Sequence, residues 1–171
     1  MDLKTKRLII RNFEYMDWRE VYDYTSDINV MRYIPEGVFN EKLAKEFVRN
    51  NMDVDANKFA VVLADEGYLI GHIVFHKYYG ELTYEIGWVF NSKFHNKGYA
   101  SEAALAVLKF AFEKMKLHRI IATCQPENIP SYRVMENIGM KREGHFKKCI
   151  AHGNEWWDEY YYAMLREEWK R

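Results

Sequence analysis

The segment from residue 81 to residue 115 constrains the fold most, because it reads as a strand, a turn of small residues and a helix. Apolar side chains alternate along residues 82–90, which predicts a strand with one apolar face and places Glu85 on the other face. After the turn, apolar residues recur at the spacing of an amphipathic helix: Ala100, Ala104, Val107, Leu108, Ala111 and Met115. The segment therefore predicts a helix that packs against a sheet and begins shortly after a strand.

The turn between this strand and this helix has the residues of an anion site. Asn96 tolerates a left-handed backbone conformation, and Gly98 lets the main chain approach a ligand closely. The unpaired N–H groups and the positive dipole end of a helix N-terminus suit a phosphate group, and Lys97 adds a positive charge. A tight turn without a ligand would explain the same residues, so the motif alone leaves both interpretations open.

Two stretches resemble the GNAT superfamily of N-acetyltransferases. The run HNKGYASEA at residues 95–103 is similar to the family's loop for the pyrophosphate of acetyl-coenzyme A (acetyl-CoA), with Gly98 and Ala100 at matching positions. It departs from the family pattern at His95, where Arg or Gln is usual, and at Asn96, where close relatives often have Gly. The run ENIPSYRVMENIGMKREG at residues 127–144 resembles the family's later motif beside the pantetheine arm. With the N-terminal run TKRLIIRNFEYMDW, these two stretches resemble the branch of Rim-type ribosomal-protein N-terminal acetyltransferases. The resemblance covers nearly the whole chain.

The resemblance implies the α+β GNAT fold, a central and mostly antiparallel twisted sheet of about six to seven strands flanked by about four to five helices. A chain of 171 residues fits a single domain, residues 1–171. The residue pattern agrees: it predicts three antiparallel strands before the central helix and a closing pair at residues 140–150 and 154–165. Asp17, Asn40 and Asn128 are predicted to cap helices.

The resemblance also implies acetyl-CoA as the acyl-donor co-substrate, held by two groups of residues. Asn128 would bond the pantetheine amides, although a helix cap is already a sufficient reason for an asparagine there. The residues expected to contact the cofactor are Val89, Phe90, His95, Asn96, Lys97, Gly98, Tyr99, Ala100, Ser101, Asn128 and Ser131.

Acyl transfer from a thioester to an amine requires a free lone pair on the amine and a proton for the departing thiolate. An α-amine has a pKa of about 8 and a lysine amine one of about 10.4, so the acceptor arrives mostly protonated at neutral pH. The family likeness makes Glu85, directly before the loop, the candidate base in a direct attack within a ternary complex. A solvated carboxylate on an open sheet face is the alternative.

Ser131 is the candidate that holds or protonates the thiolate. Many members of the superfamily have a Tyr four residues after this position, whereas this chain has Met135, and the Rim-type branch uses the Ser instead. Tyr132 is the reserve, although the next residue along a helix points about 100° away. An ordinary residue of the first helical turn would explain Ser131 equally well.

The acceptor is expected to be a primary amine, either a protein N-terminus or a small molecule. In the family, the loop and helices near residues 33–39 cover the acceptor pocket, so Tyr33 and Phe39 join Glu85 as candidate substrate contacts; ordinary aromatic packing explains the first two equally well. The departures at positions 95, 96 and 135 keep open a non-catalytic protein of the same fold that binds CoA or a partner. Transfer of a larger acyl group is a third possibility, which the orientation of Trp88 and Phe90 would decide.

Charge and composition bound the remaining functions. The 25 basic and 25 acidic residues cancel, so we expect no nucleic-acid partner and no attraction to a membrane. The two cysteines, Cys124 and Cys149, are too few for a disulfide framework or a thiolate zinc site, and each is expected to be at least half-buried. The histidines lack metal-ligand spacing, so we expect no metal. The sequence shows no signal peptide and no long apolar run, so the chain is expected to be cytoplasmic. Its aromatic C-terminal strand is expected to pack in the sheet, with a homodimer surface as the alternative.

Overall fold

A computed structural model describes residues 1–170, which form eight strands and five α-helices. The strands are β1 (Asp2–Lys4), β2 (Leu8–Arg11), β3 (Lys58–Leu63), β4 (Leu69–Lys77), β5 (Thr83–Phe90), β6 (Arg119–Cys124), β7 (Lys141–His152) and β8 (Glu155–Leu165). The helices are α1 (Trp18–Thr25), α2 (Ile28–Met31), α3 (Glu41–Arg49), α4 (Tyr99–Lys109) and α5 (Ile129–Asn137).

The eight strands form one sheet in the order β1-β2-β3-β4-β5-β6-β8-β7. β6 runs parallel to β5, with Glu85 beside Ile121, and a parallel pair needs a crossover connection, which contains α4. The mixed, mostly antiparallel fold predicted from the sequence is confirmed, but the sheet has eight strands instead of six to seven. The missed strand, β1, has three residues at the sheet edge and too few positions to show an alternating pattern.

The structure divides into two compact units. Unit 1 comprises Met1–Phe75 with Trp88–Val107, and unit 2 comprises His76–Gly87 with the chain from Leu108 onward. β4 and β5 each pass through both units. A cluster of buried side chains forms the core of unit 1: Phe13, Val21, Tyr24, Met31, Phe39, Ala44, Val48, Ala60, Val62, Leu69 and Val89.

The helices of unit 1 begin largely as predicted. Asn40 caps α3, because its side chain accepts a hydrogen bond from the Leu43 N–H at 2.9 Å. The predicted cap at Asp17 is wrong: its carboxylate accepts from Arg11 and from the Glu14 N–H, at 2.7 Å each, and makes no cap bond to α1. The Asp17 carboxylate thus pairs with Arg11 on β2 instead of accepting a hydrogen bond from the first turn of α1.

Gly71 lies on β4 where the main chain of β5 passes very close. A Cβ built on Gly71 would lie 2.4 Å from the Val89 carbonyl oxygen and 2.9 Å from the Phe90 Cα atom. The pairing of β3 with β4 also shifts by one residue between Val61 and Val62, next to Gly71, which agrees with the bulge expected there. Only a residue without a side chain fits this approach.

Unit 2 holds β6 and the long β7–β8 hairpin, which closes through Gly153 at φ +58° as predicted. α5 ends at Asn137, and Gly139, with φ +91°, terminates it as predicted. Two predictions here are wrong. Leu82 is 53% exposed and has φ +52°, so it belongs to the turn before β5 and not to an apolar strand face. Cys149 is exposed, because it lies in the irregular part of β7 between the paired residues Phe146 and Ile150.

The helix predicted from residue 100 to residue 115 is present, but its last turn is π-helical. α4 ends at Lys109 and the π-helical turn spans Phe110–Lys114. The predicted positions Ala104, Val107, Leu108 and Ala111 are all fully buried. Because a π turn adds one residue to the period, Phe112 is buried and Met115 only half-buried.

Candidate active site

The predicted site residues occur in both units. In unit 1, the loop at residues 95–100, here called the anion loop, has two left-handed residues: Asn96 at φ +59° and Gly98 at φ +78°. Asn96 was predicted to tolerate this conformation, which is confirmed, whereas for Gly98 the prediction was a close approach of the main chain to a ligand. The first helical hydrogen bond of α4 runs from the Glu102 N–H to the Gly98 carbonyl at 3.0 Å. The N–H groups of the three preceding residues therefore have no acceptor within the helix.

The side chains at positions 95 and 97 turn back onto the protein. His95 shares a hydrogen bond between Nε2 and the Phe90 carbonyl at 2.9 Å, which ties the loop to the end of β5. The Lys97 Nζ atom lies 5.2 Å from the centre of the Phe94 ring. Val89 and Phe90 are buried, at 6% and 7% exposure, so any contact that they make with a cofactor would involve the main chain. Position 95 thus serves the turn instead of carrying the side-chain charge usual in the family.

One residue of this region, Arg7, was not identified from the sequence. Its guanidinium donates to the Glu102 carboxylate at 2.6 Å and to the Lys97 carbonyl at 3.0 Å, and it lies 4.4 Å from the centre of the Tyr99 ring. Burial opposes ionisation of Glu102, but hydrogen bonds from Thr5 and Arg7 prevail and lower the pKa of Glu102. Arg7 and Glu102 are 95 residues apart, and no local pattern could have signalled their contact.

In unit 2, the candidate base Glu85 has a half-buried side chain, 24% exposed. Its carboxylate accepts a hydrogen bond from the Thr123 hydroxyl at 3.4 Å and lies 3.6 Å from His76 Nε2. Burial raises the pKa of Glu85 above its ordinary value, His76 and Thr123 act in the opposite direction, and the charge of Glu159 raises it further. A carboxylate with a raised pKa is a better proton acceptor than an ordinary one.

Aromatic residues lie on the same face of unit 2 as Glu85. Thr123, which contacts Glu85, pairs with Tyr161 on β8, and the rings of Tyr161 and Tyr78 are 6.4 Å apart. Burial, together with Tyr78, raises the pKa of Tyr161 to about 12, so its hydroxyl stays neutral. Phe146, on β7, packs against Tyr161 at 5.9 Å and is half exposed. Glu85 thus has hydroxyl and ring groups for neighbours.

Ser131 lies in the first turn of α5, where its side chain hydrogen-bonds to the Cys124 thiol. Burial raises the pKa of Cys124 to about 12, so this group remains a thiol. Cys124 follows Thr123 along β6, and successive strand residues point to opposite faces. The structure therefore places Ser131 and Glu85 against opposite faces of β6. The reserve residue, Tyr132, packs edge-on against Tyr160 at 5.9 Å.

Asn128 precedes α5 but does not cap it with its side chain. Its carbonyl accepts from the Ser131 N–H at 3.0 Å, whereas its side-chain amide makes no hydrogen bond within residues 1–170. Asn128 is thus at the N-cap position, but the predicted capping by its side chain is wrong. The role of the amide toward pantetheine stays a prediction.

The two aromatic residues predicted to contact substrate differ in their surroundings. Phe39 is 8% exposed in the core of unit 1, with its ring 5.6 Å from that of Phe47, so packing accounts for it. Tyr33 lies under the Arg32 guanidinium at 5.4 Å and is half-buried. Among residues 1–170, no three metal-binding side chains cluster, and no helix has the length and apolar character to cross a membrane.

Comparison with known proteins identifies the family. The acetyltransferase (GNAT) domain model matches residues 7–141. The chain is 70% identical over 169 residues to the uncharacterised N-acetyltransferase YnaD of Bacillus subtilis, a match that covers 99% of each chain. A GNAT-family acetyltransferase from Bacillus anthracis superposes with a TM-score of 0.95 at 68% identity, covering 98% of this chain and 100% of that one.

A more distant relative is the alanine N-acetyltransferase of ribosomal protein uS5 from Escherichia coli. It is 30% identical over 84 residues, which are 49% of this chain and 43% of that one. Its presence among the relatives agrees with the Rim-type resemblance seen in the sequence. These relatives give no support to the non-catalytic alternative. With the family model, the full-length relatives and the sheet topology in agreement, the chain belongs to the GNAT family of acetyltransferases.

Proposed function

We propose that this enzyme transfers the acetyl group of acetyl-CoA to a primary amine, by direct attack of the amine within a ternary complex. The observation that carries the proposal is the anion loop, whose left-handed Asn96 and Gly98 precede a helix of 11 residues with unpaired N–H groups. In this proposal those N–H groups bind the diphosphate of the cofactor. The Asn128 amide, which makes no hydrogen bond within residues 1–170, binds the pantetheine arm.

Glu85 removes the proton from the acceptor amine. The amine arrives as an ammonium ion, which is attracted by the carboxylates of Glu85 and Glu159 and by the neighbouring ring faces of Tyr78 and Tyr161. After Glu85 takes the proton, the nitrogen lone pair attacks the thioester carbonyl carbon to form the carbon–nitrogen bond, and the carbon–sulfur bond breaks with its electrons on sulfur. The nitrogen gives up its second proton to solvent, and the Ser131 oxygen, after protonating the sulfur, regains a proton from solvent, so that the products are the neutral amide and CoA. The raised pKa of Glu85 favours the first step near neutral pH.

Ser131 stays the predicted donor of the proton for the departing thiolate, which requires the thioester to lie where groups on both faces of β6 can reach it. Burial raises the pKa of Cys124 to about 12 although the hydrogen bond from Ser131 lowers it, so Cys124 stays a neutral thiol and a weak acceptor, and the serine O–H can turn to the sulfur of CoA instead. The same raised pKa argues against an acyl-cysteine intermediate, since the thiolate is the nucleophilic form of cysteine.

The acceptor class, the cytoplasmic location and a homodimer stay predictions. The acceptor is either a protein N-terminus, as in the E. coli relative, or a small-molecule amine.

The test is steady-state kinetics with acetyl-CoA and a panel of amines that includes short peptides, amino acids and polyamines. Thiol release should require an amine, and mass spectrometry should find that amine acetylated. With both substrates varied, double-reciprocal plots should intersect, as a ternary complex requires. Parallel lines would indicate an acyl-enzyme, and absence of CoA binding in calorimetry would remove the proposal altogether.

A further inference from the structure

We propose that Arg7, which lies outside the anion loop in sequence, supplies the positive charge for the cofactor diphosphate that position 95 does not supply. This inference rests on the proposed function. The His95 side chain hydrogen-bonds to the Phe90 carbonyl, and the Lys97 Nζ atom lies over the Phe94 ring. Neither side chain therefore offers a fixed cation to an anion at the N-terminus of α4.

The guanidinium of Arg7 is fixed beside the anion loop by both its main chain and its side chain. The Arg7 N–H donates to Glu102 at 3.1 Å, and the Arg7 carbonyl accepts from the Ala64 N–H at 2.9 Å. The Nε and NH1 groups then donate to Glu102 and to the Lys97 carbonyl, and the guanidinium lies over the Tyr99 ring. A side chain held at this many points loses little further entropy when it binds a ligand.

One nitrogen of Arg7 remains available. A guanidinium has five N–H donors, and the two bonds above use only the Nε and NH1 atoms. The NH2 atom lies 3.6 Å from where a Cβ of Gly98 would be, at the point where the loop gives way to α4. Its two N–H groups make no hydrogen bond within the described part of the chain. A planar guanidinium with free donors matches phosphate oxygens well.

The charge of Glu102 makes Arg7 necessary. Glu102 is in the first turn of α4, and hydrogen bonds that outweigh its burial keep it ionised. Its carboxylate would repel a diphosphate approaching the same helix end unless a cation lay between them. Arg7 pairs with Glu102 at 2.6 Å and thereby cancels that charge, while its outer nitrogen faces the loop.

The test compares two variants that both break the same ion pair but change the charge in opposite directions. Calorimetric titration with CoA should show affinity about tenfold weaker for Arg7→Gln. For Glu102→Gln, which leaves the Arg7 charge uncompensated, affinity should be unchanged or tighter. Arg7→Lys should fall between wild type and Arg7→Gln, because it keeps the charge and loses the planar fork that holds Glu102 and the loop together. Arg49→Gln, an equal charge change on α3, should have no effect.

The difference between wild type and Arg7→Gln should also shrink as salt is raised, since added ions screen charge interactions at an exposed site. Equal weakening in Arg7→Gln and Glu102→Gln would show that the pair merely ties the loop, and would overturn the inference. So would an Arg7→Gln affinity within about twofold of wild type. If the wild-type enzyme bound no CoA, the proposed function would fail instead. Thermal melting of each variant controls for loss of fold.

Discussion

In the proposed function, the anion loop of unit 1 binds the cofactor through main-chain groups, whereas the region around Glu85 in unit 2 acts through side chains. In the loop, two residues with positive φ set the direction of the N–H groups, and the side chains of His95 and Lys97 mainly hold the turn. Around Glu85, burial and nearby charges set the proton affinity of one carboxylate. Main-chain groups do not titrate, so binding and chemistry should respond differently to mutation and to pH.

The largest difference between the loss of catalysis and the loss of CoA binding is expected from Glu85→Gln. Removal of a general base costs about 10²- to 10⁴-fold in rate, while the proposed main-chain contacts to CoA do not involve Glu85. We therefore expect kcat to fall by that factor and the calorimetric CoA affinity to stay within about twofold. Glu81→Gln, in the connection before β5, is the matched control and should behave like wild type. A parallel loss of CoA binding in Glu85→Gln would show that the two regions are not separable.

The converse effect is expected from Gly98→Ala. A Cβ at φ +78° costs about 1–2 kcal/mol, and relaxation of the loop away from that strain would misdirect its N–H groups. CoA affinity should weaken about tenfold, with kcat at saturating CoA nearly unchanged. Gly67→Ala, at φ +66° with open space around it, introduces similar strain elsewhere in unit 1. If both variants weakened CoA binding alike, general destabilisation and not loop geometry would be the cause.

A buried histidine in unit 1 should make the folded protein less stable at low pH. Burial lowers the pKa of His72 from 6.5 to about 3, and its ring hydrogen-bonds to the Tyr24 hydroxyl at 2.8 Å. As the pH falls, His72 is protonated in the unfolded chain before it is protonated in the folded protein. Its contribution to the free energy of unfolding is therefore complete above pH 6.5 and is lost progressively as the pH drops from that value toward 3. Between pH 7.5 and pH 6.0, urea unfolding should show a loss of about 0.8 kcal/mol. His72→Gln should flatten this dependence; an unchanged slope would place the titration elsewhere.

The smallest effect concerns Glu159. Because its charge raises the pKa of Glu85, Glu159→Gln should move the acidic limb of kcat/KM to lower pH and leave the plateau within about twofold. In the wild-type enzyme that limb should lie above the ordinary glutamate value. CoA binding should be flat over the same range. A limb that stayed in place in Glu159→Gln, with Glu155→Gln as the control, would assign the titration to another group.

Much of the fold could be predicted because its signals are local. The periodic positions of α4, the Asn40 cap and the left-handed residues of the anion loop follow from three or four neighbouring residues each. The family likeness then supplied the topology that local patterns cannot give.

The failures have a common cause, which is competition from distant contacts. Asp17 left its helix to pair with Arg11, and the contact of Arg7 with Glu102 spans 95 residues. Leu82 fitted an alternating pattern, yet the chain needed a left-handed residue there to enter β5. The π-helical turn after α4 changes which residues are buried, and the spacing of apolar residues does not predict such a turn.

The close approach at Gly71 has a consequence for anyone who recombines this enzyme with its relatives. Since the Val89 carbonyl oxygen occupies the space of a side chain at position 71, the two stretches must be inherited together. A crossover placed between residues 71 and 89 would join β4 of one parent to a β5 shaped around another, and such hybrids should be poorly represented among active library members.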